Sequence, residues 1–90
     1  MMKKLTSDEK YKLGRQYKYG EDVERDDKQA VHWWRLAAEE GNAKAQRALG
    51  ICYRLGEGVE QNHEQAVHWW RLAAEQGNAD AQDNLGLAYL

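Results

Sequence analysis

Three histidines and one cysteine are among the side chains of this sequence that could bind a metal ion or act as a nucleophile. His32 and His68 stand 36 residues apart, at equivalent positions of a repeated segment. On stacked helices they would lie roughly 10 Å apart, too far to share an ion at about 2 Å per bond. His63 precedes Glu64 at a predicted helix start, and Cys52 lies on an apolar helix face with no histidine beside it. We therefore interpret the histidines as surface residues and the cysteine as an inert buried thiol.

An acidic cluster follows the first predicted helix, and alternating carboxylates of this kind can bind calcium. An EF-hand loop needs a glycine at its sixth position and a glutamate at its twelfth, but counting from Asp22 gives Asp27 and Trp33. The sequence also has no glycine-rich phosphate loop and no nucleophile elbow. We therefore expect no catalytic, cofactor-binding or metal-binding residues, and we interpret the cluster as a solvated loop with a helix cap. It comprises Glu21, Asp22, Glu24, Asp26 and Asp27.

The elements that position these side chains come from an internal repeat. Shifting the chain by 36 residues aligns residues 30–39 with residues 66–75 without a mismatch. Of the 42 pairs that align from position 13 onward, 26 are identical. The chain therefore holds about two and a half copies of one unit in a single domain. The units are repeat 1 over about 7–41, repeat 2 over about 43–77 and a half repeat over 79–90.

Capping residues and glycines divide each unit into two predicted helices. Asn42 can cap a helix that Gly56 ends, and Asn62 can cap the next, with Gln65 at the capping-box position and Gly77 at its end. The same capping pattern occurs at Asp26 with Gln29 in the first unit and at Thr6 with Glu9 near the chain start. In the second helix of the unit the apolar residues fall in one arc. The paired tryptophans lie in that arc, so we interpret them as core residues rather than as a platform that stacks bases or sugars. Five helices follow, over 7–19, 27–40, 43–55, 63–76 and 79–90.

Glycines recur inside the first helix of each unit, at Gly14, Gly50 and Gly86. A glycine inside a helix costs about 1 kcal/mol relative to alanine. Its threefold recurrence suggests a compensating gain. We hypothesise that each glycine allows a tryptophan to approach the helix closely.

Composition excludes several classes of protein. The longest apolar run is four residues, whereas a transmembrane helix needs about 20, and the N-terminal segment has no apolar stretch typical of a signal peptide. The net charge of −2 argues against binding nucleic acid. One cysteine cannot form an internal disulfide, which favours a reduced, cytoplasmic location.

One set of residues defines the unit in repeat 2: Ala45, Gln46, Leu49, Gly50, Tyr53, Gly56, Glu57, Gly58, Val59, Ala66, Trp69, Ala73, Ala74 and Gly77. This pattern resembles the Sel-one-like repeat (SLR) family, which is related to the tetratricopeptide repeat, over residues 13–90. The resemblance implies an all-α solenoid, a right-handed superhelix of antiparallel helix pairs. It also implies a non-enzymatic adaptor that binds a partner protein. Asp22 stands where repeat 2 has Gly58, so we expect the first inter-helix loop to have a different shape.

In tetratricopeptide-like solenoids the first helices of the units line a concave groove. On this face the first two units carry several arginines and lysines, which can bind carboxylates through charge-assisted hydrogen bonds. We hypothesise that the groove binds an acidic segment or the C-terminus of a partner, the alternative being an ordinary solvated helix face. The predicted groove comprises Tyr11, Arg15, Lys18, Lys44, Arg47, Ile51 and Arg54.

The predicted C-terminal helix is apolar, and no second helix follows it in this sequence to cover it, which is typical of an interface. We expect the sequence to be a piece of a longer array, or this open end to associate with a second copy or to dock on the partner, and we favour the first two. Two alternative functions stay open: a self-assembling structural repeat protein, and a hydrolase of cell-wall-type amides, as associated with some cysteine-rich relatives. The predicted open-end interface comprises Leu85, Leu87, Tyr89 and Leu90.

Overall fold

The computed structural model describes residues 3–78 and residue 82, and the regular structure of these residues is entirely α-helical. The predicted helix bounds are confirmed to within one residue for the first four helices. The fifth predicted helix, with Gly86 and the open-end residues Leu85, Leu87, Tyr89 and Leu90, lies outside the described residues apart from Gln82. The four helices are α1 (Ser7–Tyr19), α2 (Asp27–Glu39), α3 (Ala43–Leu55) and α4 (His63–Glu75).

The N-termini of all four helices are capped by the predicted residues. The Thr6 hydroxyl accepts a hydrogen bond from the Glu9 N–H, and the Glu9 carboxylate accepts one from the Thr6 N–H, which completes a capping box. The side chains of Asp26, Asn42 and Asn62 each accept a bond from the N–H three residues later. Each cap of this kind stabilises a helix by about 1 kcal/mol. Local chemistry therefore sets where each helix begins.

The loop between the two helices of a unit has the same shape in both repeats. Asp22 has φ 61°, and Gly58, at the equivalent position, has φ 74°. In both loops the N–H of the residue that caps the second helix donates to a tyrosine carbonyl, at 2.9 and 2.8 Å. The expectation of a different first loop is therefore wrong. Aspartate enters the left-handed region more readily than most residues, so it can take the place of glycine here.

The helices pack as two helix-turn-helix pairs, α1 with α2 and α3 with α4, and α2 packs against α3 to join the repeats. The all-α repeat architecture is thus confirmed. The core combines small residues with a few large ones, which lets the helices approach closely. Its buried apolar residues are Ala30, Val31, Trp34, Ala37, Ala38, Ala45, Ala48, Leu49, Cys52, Ala66, Trp70 and Ala73.

The glycines inside α1 and α3 make room for tryptophans, as hypothesised. A Cβ atom at Gly14 would overlap the Trp34 indole and lie 2.8 Å from its Cε2, and one at Gly50 would lie 2.5 Å from Trp70 Cδ1. The close approach brings each indole N–H to the helix backbone. Trp34 Nε1 donates to the Tyr11 carbonyl at 3.0 Å, and Trp70 makes the equivalent bond in repeat 2 at 3.1 Å. The hydrogen bond offsets the cost of glycine inside the helix.

The first tryptophan of each pair is less buried than the second. Trp33 and Trp69 are half-buried, and each contacts the preceding histidine edge-to-face with ring centroids 5.1 and 5.0 Å apart. Trp69 also packs against the core cluster. Core packing is therefore complete for Trp34 and Trp70 and partial for Trp33 and Trp69.

Candidate functional site

A cavity of about 310 Å³ lies between α1 and α3, the first helices of the two repeats. Its lining combines aromatic rings, three cationic side chains and apolar residues, and none of the acidic residues in the described part of the chain lines it. Five of the seven residues predicted for the groove lie on this wall: Tyr11, Arg15, Lys18, Arg47 and Ile51. The remaining lining residues are Tyr19, Trp34, Ala48 and Cys52.

Helical periodicity brings these side chains together. Tyr11, Arg15 and Lys18 follow one another at intervals of four and three residues, so they share one face of α1. Arg47 and Ile51 are one turn apart on α3 and share a face in the same way. The cavity forms where the two faces meet.

The buried side of the cavity is apolar. Trp34, Ala48 and Cys52 are core residues that also line the cavity. The Tyr11 ring stacks on Trp34, with centroids 6.5 Å apart and an angle of 28° between the ring planes. This stacking continues the apolar surface from the core to the mouth of the cavity.

The Cys52 thiol in this wall is not a nucleophile at neutral pH. The residue is only 2% exposed, and burial raises the pKa of the Cys52 thiol to about 11. Nearly all of the thiol is therefore protonated near pH 7, whereas the reactive species is the thiolate. The cysteine contributes apolar surface to the cavity, in agreement with its interpretation as a buried thiol.

Lys18, which we hypothesised to bind a carboxylate of the partner, is paired with carboxylates of this chain. Its ammonium already donates to Glu57 Oε1 at 2.7 Å and lies 3.5 Å from Asp27 Oδ1, and the side chain is only 12% exposed. Burial alone would lower the pKa of Lys18, but the hydrogen bond to Glu57 and the charge of Asp27 outweigh it, so the pKa is raised. Lys18 is thus a charged, internally compensated part of the wall.

The two arginines place positive charge on both helices. Arg15 on α1 is exposed, and within the part of the chain that the structure describes it forms no ion pair. Arg47 on α3 is half-buried and has a polar interaction of its own. A guanidinium has five N–H donors, so an arginine with one partner can still bind an anion. The cavity therefore presents a positive rim above an apolar base.

Two residues predicted for the groove do not line this cavity. Lys44 lies in the first turn of α3 and Arg54 in the last, and both are exposed. They lie on α3 beyond the ends of the stretch that faces α1 here, which runs from Arg47 to Cys52. The open-end residues lie outside the described part of the chain.

The family profile of the Sel1 repeat matches residues 10–42 and 43–78, which together make up most of the chain. The chain belongs to the Sel1-repeat family. Sel1 repeats typically mediate protein interactions. No curated protein matches the chain significantly.

Several solved structures resemble this Sel1-repeat chain. A Sel1 repeat protein from Oxalobacter formigenes is 40% identical, with a TM-score of 0.88, and the match covers 90% of this chain and 33% of that one. A protective antigen present in uropathogenic Escherichia coli strains, which displays an SLR fold, is 43% identical with a TM-score of 0.91, covering 92% and 18%. Helicobacter pylori cysteine rich protein B is 28% identical with a TM-score of 0.83, covering 88% and 59%. The chain thus spans less than two thirds of each.

The other candidate chemical groups of this Sel1-repeat chain lie on its surface. His32, His63 and His68 are exposed, and residues 3–78 and 82 contain no group of three potential metal ligands. In the acidic cluster, Asp26 caps α2 and Asp27 pairs with basic side chains. No helix in the described part of the chain is long and apolar enough to cross a membrane.

Sequence reasoning missed four lining residues: Tyr19, Trp34, Ala48 and Cys52. Tyr19 lies four residues after Arg15 on the same helix face, so the periodicity of α1 could have found it. The other three are core residues that reach the cavity from its buried side. Only the packing of α2 between α1 and α3 shows that they form its base.

Proposed function

We propose that this chain is a non-enzymatic interaction module that binds an acidic segment or the C-terminus of a partner protein. Binding takes place in the groove lined by the first helix of each repeat. One observation carries the proposal: among the described residues, the wall of the cavity between α1 and α3 holds three cationic side chains, of which Lys18 is paired with Glu57 and Asp27, and no acidic side chain. The residues proposed to contact the partner are Tyr11, Arg15, Lys18, Lys44, Arg47, Ile51 and Arg54.

The chemistry of the cavity favours recognition over catalysis. Guanidinium groups bind carboxylates through paired, charge-assisted hydrogen bonds. The potential nucleophile in the wall, Cys52, is kept neutral by its burial. The chain has one cysteine and so cannot form an internal disulfide, which agrees with a reducing compartment, and we propose the cytoplasm as its location. The two other predictions, that the open end binds a partner or that copies self-assemble through it, rest on residues outside the described part of the chain.

Charge reversal on the rim tests the proposal. Arg15→Glu should weaken binding of an acidic peptide by about tenfold, because it removes one cation and adds a like charge. Lys28→Glu makes the same change in net charge on an exposed residue of α2 away from the cavity, and is the matched control.

The measurement is fluorescence anisotropy of labelled acidic and basic peptides at two salt concentrations. Affinity for the acidic peptide should fall with salt, because screening weakens exposed charge interactions. Equal affinities of the Arg15→Glu and Lys28→Glu proteins for the acidic peptide would reject the groove as the binding surface.

A further inference from the structure

The cavity between α1 and α3 has two chemically distinct parts. The base consists of Trp34, Ala48 and Cys52, all buried, together with the half-buried Ile51. The mouth carries the Tyr19 ring, which is 64% exposed although it is large and apolar. Apolar and aromatic side chains thus line the cavity both at its buried base and at its exposed mouth.

The size of the cavity suits a large side chain. A dry apolar cavity of roughly 150 Å³ is enough to bind benzene, and this one measures about 310 Å³. It can therefore hold an aromatic side chain together with the backbone next to it. Three of the residues that line it are aromatic, namely Tyr11, Tyr19 and Trp34, and aromatic rings prefer edge-to-face or offset-stacked contacts with one another.

The charges around the cavity come from both of the helices that form it. Arg15 belongs to α1, and Arg47, which has a polar interaction of its own and further N–H donors, belongs to α3, so each helix contributes one guanidinium to the wall. The charge of Lys18 is compensated by Glu57 and Asp27. A ligand that matches this arrangement carries an apolar group in the middle and a negative charge on either side.

We propose that the cavity is an anchor site that takes one bulky apolar side chain, preferably aromatic, from an internal segment with acidic residues on both sides of it. This rests on the proposed function, and it adds the anchor and its flanking pattern to the requirement for acidity. The C-terminus of a partner matches less well, because an apolar residue at the end of a chain has neighbouring residues on one side only.

Three peptides of equal length test the anchor with the full chain. The first has one central phenylalanine flanked by acidic residues on both sides, and the second has alanine in its place at the same net charge. The third ends in phenylalanine with a free carboxylate. The first peptide should bind about 10- to 100-fold more tightly than the second, because it buries an aromatic side chain, and more tightly than the third.

Filling the cavity supplies the matched protein variants. Ile51→Trp places a large ring in the cavity and should remove the preference for phenylalanine over alanine. Leu55→Trp adds the same ring one turn later on α3, at a residue that is 51% exposed and does not line the cavity, and should keep the preference. Circular dichroism confirms that both variants are folded, and a binding measurement on the parent chain remains decisive if Ile51→Trp does not fold.

The outcomes separate this inference from the proposed function. If both internal acidic peptides bind with equal affinity, the anchor is rejected while the acidic groove stands. If the peptide with the terminal phenylalanine binds most tightly, the internal segment is rejected. If no acidic peptide binds, both proposals fall.

Discussion

The two repeats have almost the same second helix but different first helices. Residues 30–39 and 66–75 are identical, whereas the face that α3 uses to pack on α2 is changed in α1. No described helix packs on that face of α1. A first helix thus carries small apolar residues where a described helix packs on it and polar residues where none does. The residues concerned are Ala45, Ala48 and Cys52 in α3 and Glu9, Lys12 and Gln16 in α1.

The contact between the first helix of each repeat and the residue that follows its second helix also differs between the two repeats. In repeat 1, Lys10 pairs with Glu40 as ions, and in repeat 2 the equivalent residues are joined by an amide hydrogen bond of 2.9 Å from Gln76 Nε2 to Gln46 Oε1. Gln46 is only 4% exposed and also donates to the Ala38 carbonyl at 3.1 Å. A charge at that buried position would lose its hydration, whereas an amide is satisfied by two hydrogen bonds.

The contact between glycine and tryptophan predicts the largest effect. Gly50→Ala should lower the free energy of unfolding by about 3 kcal/mol, because a Cβ would overlap the Trp70 indole and displace its N–H from the Arg47 carbonyl. The melting temperature, followed by circular dichroism, should fall by about 10 °C or more.

The two repeats should show effects of similar size. Gly14→Ala should also lower the free energy of unfolding, because a Cβ there would overlap the Trp34 indole as one at Gly50 overlaps the Trp70 indole. Gly41→Ala is the control, because its Cβ meets nothing within 4 Å and only the positive φ of 93° is strained. A Gly50→Ala protein that melts no lower than the Gly41→Ala protein would show that the close approach is unimportant.

Exchanging the equivalent loop residues Asp22 and Gly58 should give the next largest change in stability. Gly58→Asp should cost about 2 kcal/mol, because its Cβ would lie 2.7 Å from the backbone of Asp27 and 2.9 Å from Val31 Cγ2. Asp22→Gly should change stability by no more than about 1 kcal/mol, and toward greater stability, because it relieves a positive φ. Urea unfolding of the two variants measures the difference. Similar effects would contradict the packing difference between the repeats.

The ion pairs of Lys18 and Arg25 with Asp27, and of Lys18 with Glu57 in the second repeat, predict a stability that depends on pH. We expect this contribution to the free energy of unfolding to be about 1 kcal/mol at most. Burial alone would raise the pKa of Asp27, but Arg25 and Lys18 outweigh it, so the pKa is lowered. A lowered pKa means that the stabilisation is complete above the unfolded value of about 4 and is lost as the pH falls through the folded value. Asp27→Asn should therefore be less stable than the parent at neutral pH, with the gap closing in acid. A gap in urea midpoint that stays constant with pH would contradict this assignment.

The exposed ion pair should show the smallest effect. Replacing Lys10 and Glu40 together by glutamine makes repeat 1 like repeat 2 at this contact. Stability should change by less than about 0.5 kcal/mol, because exposed ion pairs contribute little. Urea unfolding at low and high salt checks this. A loss above about 1 kcal/mol would mean that the ion pair matters to the first repeat as much as buried contacts do.

Much of the fold could be predicted because it depends on local chemistry. Thr6, Asp26, Asn42 and Asn62 cap the helices where the sequence places them, since each cap needs only the N–H groups of the next turn. The shape of the first loop was predicted wrongly, because aspartate adopts a positive φ more readily than most residues other than glycine. The close approach of Gly58 to the backbone of α2 at the equivalent position is visible only in the tertiary structure.

The candidate site was predictable only in part. Five lining residues follow from helix periodicity, and they remain a proposal as a binding surface. The compensation of Lys18 by Glu57 could not be predicted, because these residues are 39 positions apart and meet only when repeat 2 packs on repeat 1. The same is true of Trp34, which reaches the cavity from the core.

The repeat, the helix bounds and the spacing of cationic residues on α1 and α3 follow from the sequence alone, because the repeat is visible as identical residues and the other two depend on residues within one or two turns of one another. Which charges are compensated within the chain, and which apolar side chains lie beside them, follows only from the tertiary structure. Lys18 is paired internally with Glu57, whereas Arg15 forms no ion pair with the described residues. Both outcomes depend on how α2 brings α1 and α3 together, and no single helix contains that information.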